Sequence, residues 1–125
     1  MRILYIKLEN FAGIYNGTGR KELEIDFTKG NNNITLLIGK NGSGKSTLMS
    51  TLHPFSGTFD DKSTFILDKH DGYKEIHILD NQIIYTIKHI YSNKKKNKSV
   101  KSFISYLDEN NNEIELNENG RSTYF

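Results

Sequence analysis

Residues 34–48 read ITLLIGKNGSGKSTL, and this stretch decides the fold class. Ile34 to Ile38 is an unbroken apolar run, as expected of a strand covered on both faces. It meets GKNGSGKS at Gly39–Ser46, a full match to the G-x-x-x-x-G-K-[ST] phosphate-binding pattern. Gly39, Gly42 and Gly44 permit backbone conformations that a Cβ disfavours, so successive N–H groups, including those of Lys40, Asn41 and Ser43, can turn toward an anion. The composition from Lys45 to Leu52 is helical, and the N-terminus of such a helix favours negative charge. Lys45 is thereby the candidate catalytic residue, a cation for the β- and γ-phosphates of a nucleotide; the Ser46 hydroxyl is a candidate Mg²⁺ ligand. Thr47 is a weaker candidate for the α-phosphate. The bland alternative is a Gly-rich turn that holds Lys and Ser by chance, and the strand before it and helix after it weigh against that.

Outward from this point, Pro54 must end the helix near His53. On the N-terminal side, Ile3 to Phe11 reads as a strand, and Leu23, Ile25 and Phe27 alternate with acids as a second, half-buried one. Gly13, Asn16, Gly17 and Gly19 predict a loop between them. On the C-terminal side, residues 55–71 are polar and turn-rich. Three strand-like segments follow at 74–79, 82–91 and 100–107, with a tight turn near Asp80-Asn81, a loop over 92–99, and a turn at 110–112 leading into a short strand over 113–116. The expected fold is α/β of the P-loop NTPase type, a mixed sheet with flanking antiparallel strands. It forms a single domain over 1–125, with a P-loop core over 1–57 and a mostly β region over 58–125.

At 125 residues with a net charge of +2, the chain is only mildly basic. The distribution is more telling. Lys88, Lys94, Lys95, Lys96, Lys98 and Lys101 fall in a run with no acid, and acids dominate from Asp108 onward. The lysines from 94 to 101, flanked by Tyr91 and Phe103, are candidates for DNA-backbone contact; a solvated loop is an equal reading. With no cysteine, disulfides and thiolate metal sites are excluded. The four histidines show no i, i+4 pairing, and His77 and His89 read as ordinary sheet residues. No stretch is long enough to span a bilayer and no signal peptide is evident, so a cytoplasmic protein with no membrane partner is expected.

The order of features, Asn10-Phe11, then Leu23 to Phe27, then Asn33 to Leu48, resembles the N-terminal lobe of SbcC-like DNA-repair ATPases. These belong with the structural-maintenance-of-chromosomes proteins in the ABC-ATPase class. The resemblance is good over 2–57 and looser beyond; the Asn-, Lys- and Ile-rich composition suits an AT-rich bacterial or phage genome. It implies ATP and Mg²⁺ as cofactors, self-dimerisation through ATP in the intact protein, a nuclease partner of the SbcD type, and DNA. It also implies base or ribose contacts near Asn10 and the segment 12–20, although Arg20 and Lys21 read better as solvated charges.

The departures are the glutamine loop, the Leu-Ser-Gly-Gly signature and the Walker B strand, none of which is evident. Phe103 to Glu109 imitates a Walker B strand, but Ser105 interrupts it and three asparagines follow, so it reads as a hairpin edge. The expectation is a partial ATPase head that turns ATP over at a trace rate on its own. The alternative is a stand-alone nucleotide-binding module. A small kinase is disfavoured because only Arg2, Arg20 and Arg121 are present, and a GTPase because residues 93–96 lack the base-reading Asp.

Overall fold

The computed structural model describes residues 1–29, 45–55, 66–94 and 97–117, with Lys45 and Asn97 by backbone alone. The strand expected over 34–38 and the glycines from 39 to 44 lie outside the described residues. The elements are β1 (Arg2–Glu9), α1 (Ala12–Thr18), β2 (Glu22–Asp26), α2 (Lys45–Thr51), β3 (Gly72–Asp80), β4 (Ile83–Lys94), β5 (Asn97–Leu107) and β6 (Glu113–Glu115). The strands form one sheet in the order β2-β1-β3-β4-β5-β6, and every described pairing is antiparallel, where the sequence reading expects a mixed sheet.

Period-2 alternation sets what the sheet buries. One face carries cross-strand rows that can be read straight across the register. Ile25, Ile6, Ile76, Ile87 and Ile104 form one row, and Leu23, Leu8, Lys74, His89 and Ser102 form the next. Both helices are held on this face. Leu48 of α2 and Ile14 of α1 join Ile6, Leu8, Phe11, Ile66 and Tyr91 in the main core cluster. Ile76, Ile78 and Ile87 make a second cluster. The opposite face is half-open and polar, with Tyr5 stacked on His77 at 4.6 Å between ring centroids and Glu75 bonded to His77 Nε2 at 2.6 Å.

Two segments differ from the sequence reading. The loop expected from Gly13 to Gly19 is the helix α1. Its composition is poor for a helix, but Ala12 and Ile14 are buried, and tertiary packing overrides propensity here. Gly19 closes the helix in the left-handed region at φ 73°, its N–H donating to the Tyr15 carbonyl. Gly13 is needed for another reason. A Cβ there would stand 1.8 Å from Thr47 Oγ1 and 2.8 Å from Thr47 Cβ, so α1 and α2 meet where only glycine fits. Rotating the Thr47 side chain cannot relieve a clash with its own Cβ. Gly13→Ala is therefore expected to destabilise the fold by about 1–3 kcal/mol, read as a lowered urea midpoint. A midpoint equal to wild type would show that the helices do not meet there.

The second difference is the loop expected over 92–99. β4 runs on to Lys94 and β5 starts at Asn97, with Asn93 paired to Lys98 and Lys94 to Asn97. The ladder therefore persists as far as the Lys94–Asn97 pair. Elsewhere the turns follow their chemistry. Asn81 and Gln82 both have positive φ, 48° and 67°, as a two-residue type I′ hairpin demands. This moves the turn one residue past the expected Asp80-Asn81, and Gln82 out of the strand. Asp108 Oδ1 accepts from the Asn110 and Asn112 backbone N–H groups, fixing the β5–β6 turn. The Asp108-Glu109 pair is thus a hairpin corner, as expected, and not the end of a Walker B strand.

Candidate nucleotide-phosphate site

Helix α2 starts at Lys45, where the glycine run ends, and is seven residues long. Leu48 and Thr51 are buried, Thr47 is half-buried against Gly13, and Ser46, Met49 and Ser50 are exposed. The Thr51 hydroxyl donates to the Leu48 carbonyl at 2.7 Å, satisfying a buried polar group without leaving the helix. One side of α2 is therefore bound to the core while Ser46, in its first turn, stays accessible. Of the candidates for phosphate and Mg²⁺, Gly39, Lys40, Asn41, Gly42, Ser43 and Gly44 lie outside the described residues. Lys45, Ser46 and Thr47 follow one another into α2, and Thr47 is engaged with α1.

The segment after α2 is held in a way the sequence reading missed. His53, Pro54 and Phe55 cross the buried face, and Lys74 Nζ donates to the His53 carbonyl at 2.7 Å and to the Phe55 carbonyl at 3.0 Å. Between them, His89 Nε2 lies 2.9 Å from the Pro54 carbonyl, and His89 Nδ1 lies 2.7 Å from Ser102 Oγ. A carbonyl only accepts, so Nε2 carries the proton and Nδ1 accepts from the serine. Asn117 continues the chain, donating to the Ser102 carbonyl and accepting from the Ile104 N–H.

His89, expected to be an ordinary sheet residue, is a buried hub with no exposed surface. Alternation contained the signal. Lys74 is in phase with Ile76 and Ile78, and His89 with Ile87 and Tyr91, so both had to point inward.

Burial lowers Lys74 to about 8. Burial also pushes His89 down to about 4, with nearby Lys74 and His53 adding to the fall and the Pro54 carbonyl opposing it. The ordinary histidine value is 6.5, so between pH 6.5 and 4 the unfolded chain takes up a proton that the folded chain refuses. The contribution of His89 is complete above pH 6.5 and is lost as pH falls toward 4, by about 3 kcal/mol. Urea unfolding at pH 7 and pH 4.5 should show the drop, and His89→Gln, which cannot take up a proton, should shrink it. An equal drop in both proteins would remove His89 as its source.

The remaining candidates are dispersed. Asn10, at φ 61°, ties β1 to the chain before β3: its side chain donates to the Asp71 carbonyl at 2.8 Å and its own carbonyl accepts from Leu67 N–H. Arg20 is exposed, and Lys21 Nζ lies 3.4 Å from His70 Nε2. Lys94, Lys98 and Lys101 are exposed at the hairpin end of β4 and β5, while Lys95 and Lys96 lie outside the described residues. Because the strands continue, the lysines are divided by parity. Lys94 and Lys101 share the half-open face, and Lys98 falls on the other.

A family model described as an AAA ATPase domain matches residues 1–124. The chain belongs to the AAA ATPase domain family. No curated protein matches it. Membership of the AAA ATPase domain family, together with the Gly39–Ser46 sequence, makes this a nucleotide-binding ATPase domain. Among the described residues of this AAA ATPase domain, no helix is long and apolar enough to cross a membrane.

Proposed function

We propose that the chain binds ATP with Mg²⁺ through residues 39–47, as the ATP-binding lobe of an SbcC-like ATPase subunit in a DNA double-strand-break repair complex. The observation that carries this reading is the junction at Lys45. The glycine run passes directly into a helix whose inner side is locked to α1 and the core and whose first-turn Ser46 is accessible. Backbone N–H groups of 39–45 would cradle the phosphates, and Lys45 would offset their charge. The donor set suits Mg²⁺. A single hydroxyl at Ser46 leaves the remaining octahedral positions to phosphate oxygens and water, the usual pattern for this ion. When bound, the ion would neutralise charge on the phosphates; positioning them falls to the chain.

Titration with ATP, ADP and AMP in Mg²⁺ tests the site. Affinity should follow the β-phosphate, with ATP and ADP bound and AMP not. Equal binding of all three, or of none, would sink the reading.

In the intact protein, the resemblance supports an ATP-bridged self-dimer, a nuclease partner of the SbcD type, and DNA as substrate. For DNA, the position of Lys94 and Lys101 on one face favours binding to phosphates there. Changing both to Gln should reduce the slope of log affinity against log salt by roughly 1.8 units, about 0.9 for each phosphate no longer neutralised. Identical slopes would leave these lysines as solvated surface.

A further inference from the structure

Three successive carbonyls, those of His53, Pro54 and Phe55, are each captured by a side chain from the sheet. Such capture is not needed to make a sheet. Lys74 is 1% exposed, stands between Leu8 and His89 in its row, and is in phase with Ile76. An apolar residue there would avoid the desolvation of a buried ammonium, and among the described residues no carboxylate lies within ion-pair distance of it. What the ammonium does accomplish is to span two carbonyls on either side of a proline. His89 takes the one between, and its ring is in turn oriented by Ser102. Pro54 holds its own φ near one value, so the captured segment has few ways to shift.

We infer that Lys74 and His89 are positioning residues for α2, fixing its C-terminal end so that its first turn, with Ser46, is held in place for nucleotide. This rests on the nucleotide reading proposed above. The helix has only seven residues and is fixed at both ends, by Gly13 against Thr47 near its start and by the captured carbonyls just past its end. Sliding along its axis or rotating would break the packing or the hydrogen bonds at one end or the other. Preorganisation of this kind is what a phosphate site requires, since misplacement by an ångström can cost a large factor in binding or rate.

The test is Lys74→Met, which keeps most of the stem volume and removes the donors, with Ile76→Val as control. Ile76 is equally buried on the same strand but makes no bond to residues 53–55. Two readouts are taken: affinity for a fluorescent ATP analogue in Mg²⁺, and hydrogen exchange at the Leu52 and His53 amides without nucleotide. Those amides bond to the Met49 and Thr51 carbonyls at the end of α2.

Lys74→Met is expected to weaken the analogue about tenfold and to speed exchange at both amides, while Ile76→Val changes neither. Wild-type exchange and affinity in Lys74→Met would overturn the inference, as would faster exchange with unchanged affinity. If wild type itself fails to bind the analogue, the nucleotide reading fails; wild-type exchange in Lys74→Met then overturns the anchoring of α2, and faster exchange upholds it. Should Lys74→Met not fold, His89→Leu, which removes a single capture, is read in the same two ways.

Discussion

Lys45→Ala is expected to lower affinity for ATP by about a hundredfold, with little change in the urea midpoint. In the proposed site, the substitution removes the cation that would face the β- and γ-phosphates. Removing one partner of a close charge pair in a site that excludes water costs about 3 kcal/mol, and 1.4 kcal/mol is a factor of ten. The fold should tolerate the change. Among the described side chains of α2 the buried ones are Leu48 and Thr51, and alanine is a better helix former than lysine. AMP discriminates further. It lacks the phosphates that Lys45 would reach, so any weak binding of AMP should be the same in both proteins. Affinity for ATP unchanged in calorimetry would show that the lysine meets only solvent, and the glycine run would lose its strongest support.

Phe11→Ala should destabilise the fold by about 3–5 kcal/mol, the range for emptying a buried aromatic site. Phe11 is 1% exposed and lies where β1, α1 and the chain before β3 converge. Its ring meets Tyr91 edge to face at 5.8 Å between centroids, and the same cluster contains Ile14 of α1 and Leu48 of α2. Edge-to-face geometry adds about 0.5–1.5 kcal/mol beyond the burial of area. Domains of this size are stable by only about 5–15 kcal/mol, so the variant should have little margin left and unfold at markedly lower urea. A loss under about 1 kcal/mol would mean that the ring is not enclosed. Because the two helices share this cluster, nucleotide affinity should fall with stability here, unlike in Ile76→Val.

Much of the molecule is legible from local pattern. The alternation in 23–27, 74–79 and 82–91 locates β2, β3 and β4, and Pro54 marks the end of α2 because it disfavours the helical state of the residue before it. The three asparagines after Asp108 correctly argue for a hairpin against a Walker B strand. Family membership agrees with the nucleotide reading drawn from Gly39–Ser46. The sequence signal of a phosphate-loop pattern is strong because the residues of such a pattern are set by ligand and backbone conformation, both of which act over a few residues.

Other features are invisible to local pattern. Glycine and asparagine in 13–19 argue for a loop on propensity alone, yet burial of Ala12 and Ile14 outweighs propensity, and the glycine at 13 makes room for Thr47 of a helix far along the chain. The hairpin lysines look like one basic cluster because sequence proximity ignores the sheet's alternation, which sends Lys98 opposite to Lys94 and Lys101. By itself the sequence determined most of the strands and turns and carried the phosphate-loop pattern, since each depends on neighbours within a few residues. Only the tertiary structure decided that Lys74 and His89 hold the segment at the end of α2, because their partners are the carbonyls of 53–55. A carbonyl carries no residue identity, and no sequence pattern records which one a buried donor will meet.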